Sequence, residues 1–183
     1  MIEVLGWDAH SSRVYFHAVY WDESVHFDAI YHFDLRSKHP EFAVRDQPEP
    51  ADSDWVAADS AQAPRIAALR ARLQRLAPIL EPGLPTWVQW TEQDTIVETY
   101  GKARQFQVTG SFDDGPGFDA ICYGKPDICA RGVYGIPGRK ERVWLIAFRG
   151  QPSDAAQVEG ARLVRVGEPN TTVRLRWNYL QLP

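Results

Sequence analysis

The chain has 183 residues, a length that fits one domain and lets about 70% of the unfolded surface be buried, so neither disulfides nor a metal is required for a core. Its apolar fraction of 44%, charged fraction of 24% and aromatic fraction of 12% are those of an ordinary globular protein rather than a disordered or membrane one. A net charge of −4 argues against a general nucleic-acid binder, although the charge is uneven: residues 1–59 hold 12 acidic and 4 basic side chains, and residues 60–183 hold 12 acidic and 16 basic ones.

The opening MIEVLGWDAH has no basic cluster followed by an apolar run, and no later stretch is long and apolar enough to span a bilayer. A cytoplasmic location and no membrane partner are therefore expected. In that compartment Cys122 and Cys129, although close enough in sequence to close a small loop, are expected to remain thiols.

The first third then reads as strands. RVYFHAVYW is almost entirely apolar and aromatic, and VHFDAIYHFDL alternates with a period of two. A tight hairpin through Asp22–Val25 pairs Trp21 with His26, Val19 with Asp28, His17 with Ile30 and Tyr15 with His32. One face, with Val14, Phe16, Ala18, Tyr20, Phe27, Ala29, Tyr31 and Phe33, must be core. The other mixes Tyr15, His17, Val19, Trp21, His26, Asp28, Ile30 and His32, and is expected to be the wetter side.

Residues 38–58 are rich in proline and acids with no defensible period, which predicts a loop. An amphipathic helix over about residues 61–77 follows, with Ile66, Leu69, Leu73 and Leu76 as its apolar stripe, Asp59 or Ser60 as cap, Pro64 in its first turn and Pro78 as its stop. Arg65, Arg70, Arg72 and Arg75 are placed on its solvent side. After EPGLP the β pattern resumes in TWVQWTE, TIVETY, RQFQVTG, RVWLIAFRG, ARLVRV and TTVRLRWNYL, with no fixed repeat period. A C-terminal hairpin through Gly167–Asn170 is expected, with Val164, Val166, Val173, Leu175 and Trp177 on one face and Arg165, Arg174 and Arg176 on the other. The predicted fold is α+β and predominantly antiparallel: one twisted sheet, or a partly open barrel or sandwich, with one main helix packed on it, in a single domain over residues 1–183.

All five histidines fall within the first 39 residues. His17, Asp28 and His32 share a hairpin face, the side-chain types of a two-histidine, one-carboxylate metal site or an acid-base pair, but no motif accompanies them and the simpler reading is a solvated sheet face. The Gly110–Asp119 segment has three carboxylates without calcium-loop spacing and reads as a mobile loop, and Ile136–Arg142 lacks the ending of a phosphate loop and reads as a basic turn. No cofactor is expected. With no catalytic signature and seven tryptophans, the chain reads as a non-enzymatic protein-interaction domain, similar in size and charge to bacterial immunity or accessory proteins. Its partner is expected to be another protein, self-association is compatible with its composition, and Tyr15, Trp21, His26, Arg165, Arg174 and Arg176 are the surface candidates. The alternative is an enzyme or a small-ligand or metal-binding protein using the His17, Asp28 and His32 face.

Overall fold

The computed structural model describes residues 2–22, 25–46, 55–80, 83–98, 101–123, 125, 127–149, 157–166 and 173–175. They form three open four-stranded sheets and one helix, so the α+β, mainly antiparallel class read from the sequence holds. The chain gathers into two compact units, one reaching to Ala77 and the other beginning at Pro78.

In the first unit, β1 (Ile2–Asp8), β2 (Arg13–Asp22), β3 (Val25–Asp34) and β4 (Ala43–Arg45) form an antiparallel meander. The β2–β3 register is the predicted one at every pair, including Tyr15 with His32 and Trp21 with His26. The alternation of β3 accounts for it, because a slip by one residue would exchange the two faces. Of the face expected to be core, Val14, Phe16, Ala18, Ala29 and Phe33 are buried and Tyr31 is partly buried, while the side chains of Tyr20 and Phe27 lie outside the described residues; Phe16 packs between Tyr31 and Phe33 at ring-centroid distances of 5.7 and 5.1 Å.

The helix α1 (Trp55–Arg72) differs from the expectation at both ends. It begins before Asp59 and Ser60, so these residues are not its cap. Pro64 lies in its interior, where it forgoes one main-chain hydrogen bond to the preceding turn. At the other end the helix stops before Pro78 because the backbones of Trp7 and Gln74 exchange two hydrogen bonds, each of 2.9 Å, that draw the chain onto the edge of β1. Ile66, Leu69, Leu73 and Leu76 are buried as predicted. Ile66, Leu69 and Leu73 lie on the histidine-bearing face, where they join Leu5, Tyr15 and Ile30 in one cluster. The face expected to be wet is thus helix-covered, since the apolar stripe of α1 has to be buried somewhere and Tyr15 and Ile30 offer the matching surface.

Gly6 makes this closure feasible. A β-bulge between Val4 and Gly6 shifts the register, and Gly6 takes a φ of +149°. A Cβ there would lie 2.7 Å from the Gln74 carbonyl oxygen and 2.8 Å from the Leu73 Cβ.

The second unit is a β-sandwich. One sheet has the order β11 (Gln157–Arg165), β10 (Glu141–Arg149), β9 (Asp127–Gly135), β5 (Pro78–Leu80). The other has the order β12 (Val173–Leu175), β8 (Gly117–Tyr123), β7 (Gly101–Ser111), β6 (Trp87–Glu98). Val108, Phe112 and Phe118 of the second sheet and its adjoining turn share a core with Ile128, Ala130, Val133, Trp144, Ile146 and Phe148 of the first.

The predicted C-terminal hairpin is not formed. β11 pairs antiparallel with β10 along its whole length, and β12 pairs parallel with β8. The reason is burial: Val143 to Phe148 of β10 are all buried, so this central strand requires a full ladder on each side, and a long-range pairing outcompetes the local turn. The segment read as a mobile loop is likewise packed. Gly115 and Pro116 are buried, and a Cβ on Gly115 would come within 2.5 Å of the Trp144 ring.

Candidate functional site

The sequence-predicted residues of the first unit fall into two polar pairings beneath and beside α1. His17 and Asp28 sit diagonally across the β2–β3 ladder, and His17 Nε2 lies 2.6 Å from Asp28 Oδ1, with both side chains about 15% exposed (15% and 14%). His32 does not join them. It is 5% exposed, its ring stands 5.3 Å from that of Tyr15, and its Nδ1 is 3.5 Å from Asp46 Oδ1 without making a hydrogen bond. Burial pushes the His32 imidazole below its ordinary pKa and the nearby Arg13 adds to this, against the opposing pull of Asp46 and Asp34. Among the described residues, no group of three His, Cys, Asp or Glu side chains is close enough to hold a metal ion.

Asp46 is the residue that ties this cluster to the helix. Arg65 Nη2 donates to Asp46 Oδ2 at 2.5 Å, and the Asp46 backbone N–H donates to the Ile30 carbonyl at 2.8 Å, which anchors the chain beyond β4. The other helix arginines also find carboxylates. Arg70 donates to both oxygens of Glu3 at 2.7 Å, and Arg72 donates to Asp8 at 3.1 Å while its guanidinium lies 5.7 Å from the Tyr15 ring centre. Arg65, Arg70 and Arg72 are therefore paired rather than merely solvated. The charge asymmetry of the sequence is partly an internal complementarity, with Glu3, Asp8 and Asp46 of the acidic third meeting arginines of the helix.

Trp21 and His26 face each other in register, but their side chains lie outside the described residues. In the second unit, Arg165 approaches Glu141 at 3.7 Å, Arg174 stands in register with Asp119, and Arg176 lies outside the described residues. Arg165 and Arg174 belong to different sheets, so the single hairpin stripe that was to present them does not exist. Cys129 is a free, partly buried thiol, and the Cys122 side chain lies outside the described residues.

The feature that sequence reading missed is apolar and exposed. Between β5 and the start of β6, Ile79 is 47% exposed, Leu84 79%, Trp87 50% and Val88 36%. Two prolines and a glycine flank Leu84 in Pro82-Gly83-Leu84-Pro85, a context that bars a regular ladder and leaves the leucine outside. That local signal was available. The segment is pinned from both sides, by the paired backbones of Gly83 and Ala130 at 3.1 and 2.8 Å and by the Thr86 N–H donating to the Ser111 carbonyl at 2.8 Å. No family model, curated protein or solved structure matches the chain.

Proposed function

We propose that this protein is a non-enzymatic interaction domain whose binding surface is the apolar edge of the second unit, from Ile79 to Val88. The observation that carries the reading is the exposure of Ile79, Leu84, Trp87 and Val88, with the backbone around Leu84 held at Gly83 and Thr86. Exposed apolar side chains that cluster on an ordered segment gain free energy when a partner covers them, and tryptophan is among the strongest interface anchors. The ordered backbone reduces the entropic cost of that docking. A polypeptide partner fits such a surface, and this chain would then be of the immunity or accessory kind.

The test is a photo-crosslinking amino acid at Leu84, introduced in cells that make the protein naturally. The expected result is a discrete adduct with a second protein, lost when Trp87 is replaced by alanine. Absence of any adduct with another protein would overturn the reading.

A second reading rests on the His17–Asp28 pair. A histidine held at 2.6 Å by a carboxylate, with both side chains still in reach of solvent, is the arrangement of a general base with its orienting acid. Perturbation of the His17 ring resonances by a small-molecule fragment library, at positions unaffected in Asp28→Asn, would favour it over the first.

A further inference from the structure

β6 pairs with β7 on one side only, and among the described residues no strand pairs with its other edge. The register places Trp90 opposite the fully buried Val108, so Val88 and Trp90 face the interior while Trp87, Gln89 and Thr91 face outward. An interior-facing position on a finished sandwich is covered. Here Val88 is 36% exposed and Trp90 only partly buried, so the apolar layer continues past the last strand of its sheet. From Trp87 to Thr91 the strand also lacks the usual protections of an edge: it has no lysine and no proline, and its first bulge comes at Glu92 and Asp94.

The stretch is self-complementary. When it is paired antiparallel with its own copy about a two-fold axis through Gln89, Val88 meets Trp90, Trp87 meets Thr91, and Gln89 meets Gln89. Apolar side chains then oppose apolar ones on the interior side, and polar or amphipathic ones oppose each other outside. Glu92 falls opposite Thr86, so no like charges are brought face to face across the pair.

We infer that the outer edge of β6 is completed by the same edge of a second copy of this chain, forming a two-fold dimer whose axis passes through Gln89. The inference rests on the reading of this edge as a binding surface and names the occupant of its strand portion. Leu84 lies outside the paired stretch and stays open to a different partner.

The experiment uses the full chain. Light scattering is expected to show a mass rising from 20.8 kDa toward twice that value as concentration is raised, over a range of about 1–100 μM. Gln89→Lys sets two ammonium groups against each other on the axis and is expected to hold the protein monomeric without loss of fold. Gln89→Cys is expected to form an intermolecular disulfide under mild oxidation. Thr91→Cys is not, because in this register the two copies of residue 91 are separated by four residues along the strand, beyond the reach of a disulfide. A mass that stays monomeric throughout the range, or equal crosslinking of the two cysteine variants, would overturn the dimer. A monomer that still gives the Leu84 adduct overturns this inference alone, whereas loss of the adduct in a protein that still dimerises counts only against the different partner.

Discussion

His17 Nε2 lies 2.6 Å from Asp28 Oδ1, joining two strands by a side-chain contact diagonal to the backbone ladder. Both groups are mostly buried, so removing either one leaves the other without its partner in a poorly solvated place. His17→Ala and Asp28→Ala are each expected to lower stability by about 1–3 kcal/mol. The double variant should lose clearly less than the sum. Urea unfolding of the four proteins measures that coupling, and strictly additive losses would show that the pair is not an energetic unit.

The buried His32 predicts a dependence of stability on pH. Its folded pKa lies below its ordinary value because burial and Arg13 disfavour the imidazolium, so the unfolded chain takes up its proton first as the pH falls. Stability is therefore unaffected by His32 well above about pH 6.5, declines as the pH falls through that value, and stops declining on this account only below the folded pKa. Urea midpoints between about pH 5 and 8 should fall on acidification in the natural protein, with a shallower fall in His32→Gln. Equal slopes in the two proteins would remove His32 as the cause.

Two glycines are required by close approach. Gly6→Ala is expected to cost about 2 kcal/mol or more, because the position combines a positive φ with a Cβ site 2.7 Å from the Gln74 carbonyl oxygen. Gly115→Ala drives a methyl group into the Trp144 ring and is expected to cost about 1–3 kcal/mol, together with a change in tryptophan fluorescence. Thermal melts of both variants provide the check.

The helix arginines should differ in importance according to their exposure. Arg70 and Glu3 are each about half exposed (52% and 50%), so Arg70→Ala is expected to cost no more than about 1 kcal/mol and to matter less at high salt. Arg65 and Asp46 are better covered, at 31% and 18%, and Asp46 also faces His32. Arg65→Ala should therefore cost more than Arg70→Ala, and the difference should persist in about 0.5 M salt. Matched denaturation curves at low and high salt decide this.

Replacements on the exposed apolar edge should separate binding from folding. Leu84→Ser removes a side chain that is 79% exposed and is expected to change stability by no more than about 0.5 kcal/mol, whereas Trp87, at 50%, is half buried and Trp87→Ala is expected to cost about 1–2 kcal/mol. A large loss of stability in either variant would mean that the side chain serves the fold rather than a partner.

Much of this protein was legible in its residues because the informative signals were local. The alternation in β3 and the tight turn expected at Asp22–Val25 determined a hairpin register that holds at every pair, and the spacing of Ile66, Leu69, Leu73 and Leu76 marked the residues that are buried. What no local signal could reveal was the choice of partner surfaces. The face bearing His17 and His32 reads as solvated because it is half polar, yet it is covered by α1, where His17 is met by Asp28 of its own face and His32 by Asp46, which Arg65 of the helix holds. β11 and β12, neighbours in sequence, separate into two sheets because the buried β10 and the edge of β8 each compete for a strand. The sequence by itself thus determined the mainly antiparallel class, the register of the first hairpin and the apolar stripe that the helix buries. Only the tertiary structure decided which faces meet and which strands pair, because that choice depends on backbone hydrogen bonds and apolar areas that must be satisfied across the whole chain at once.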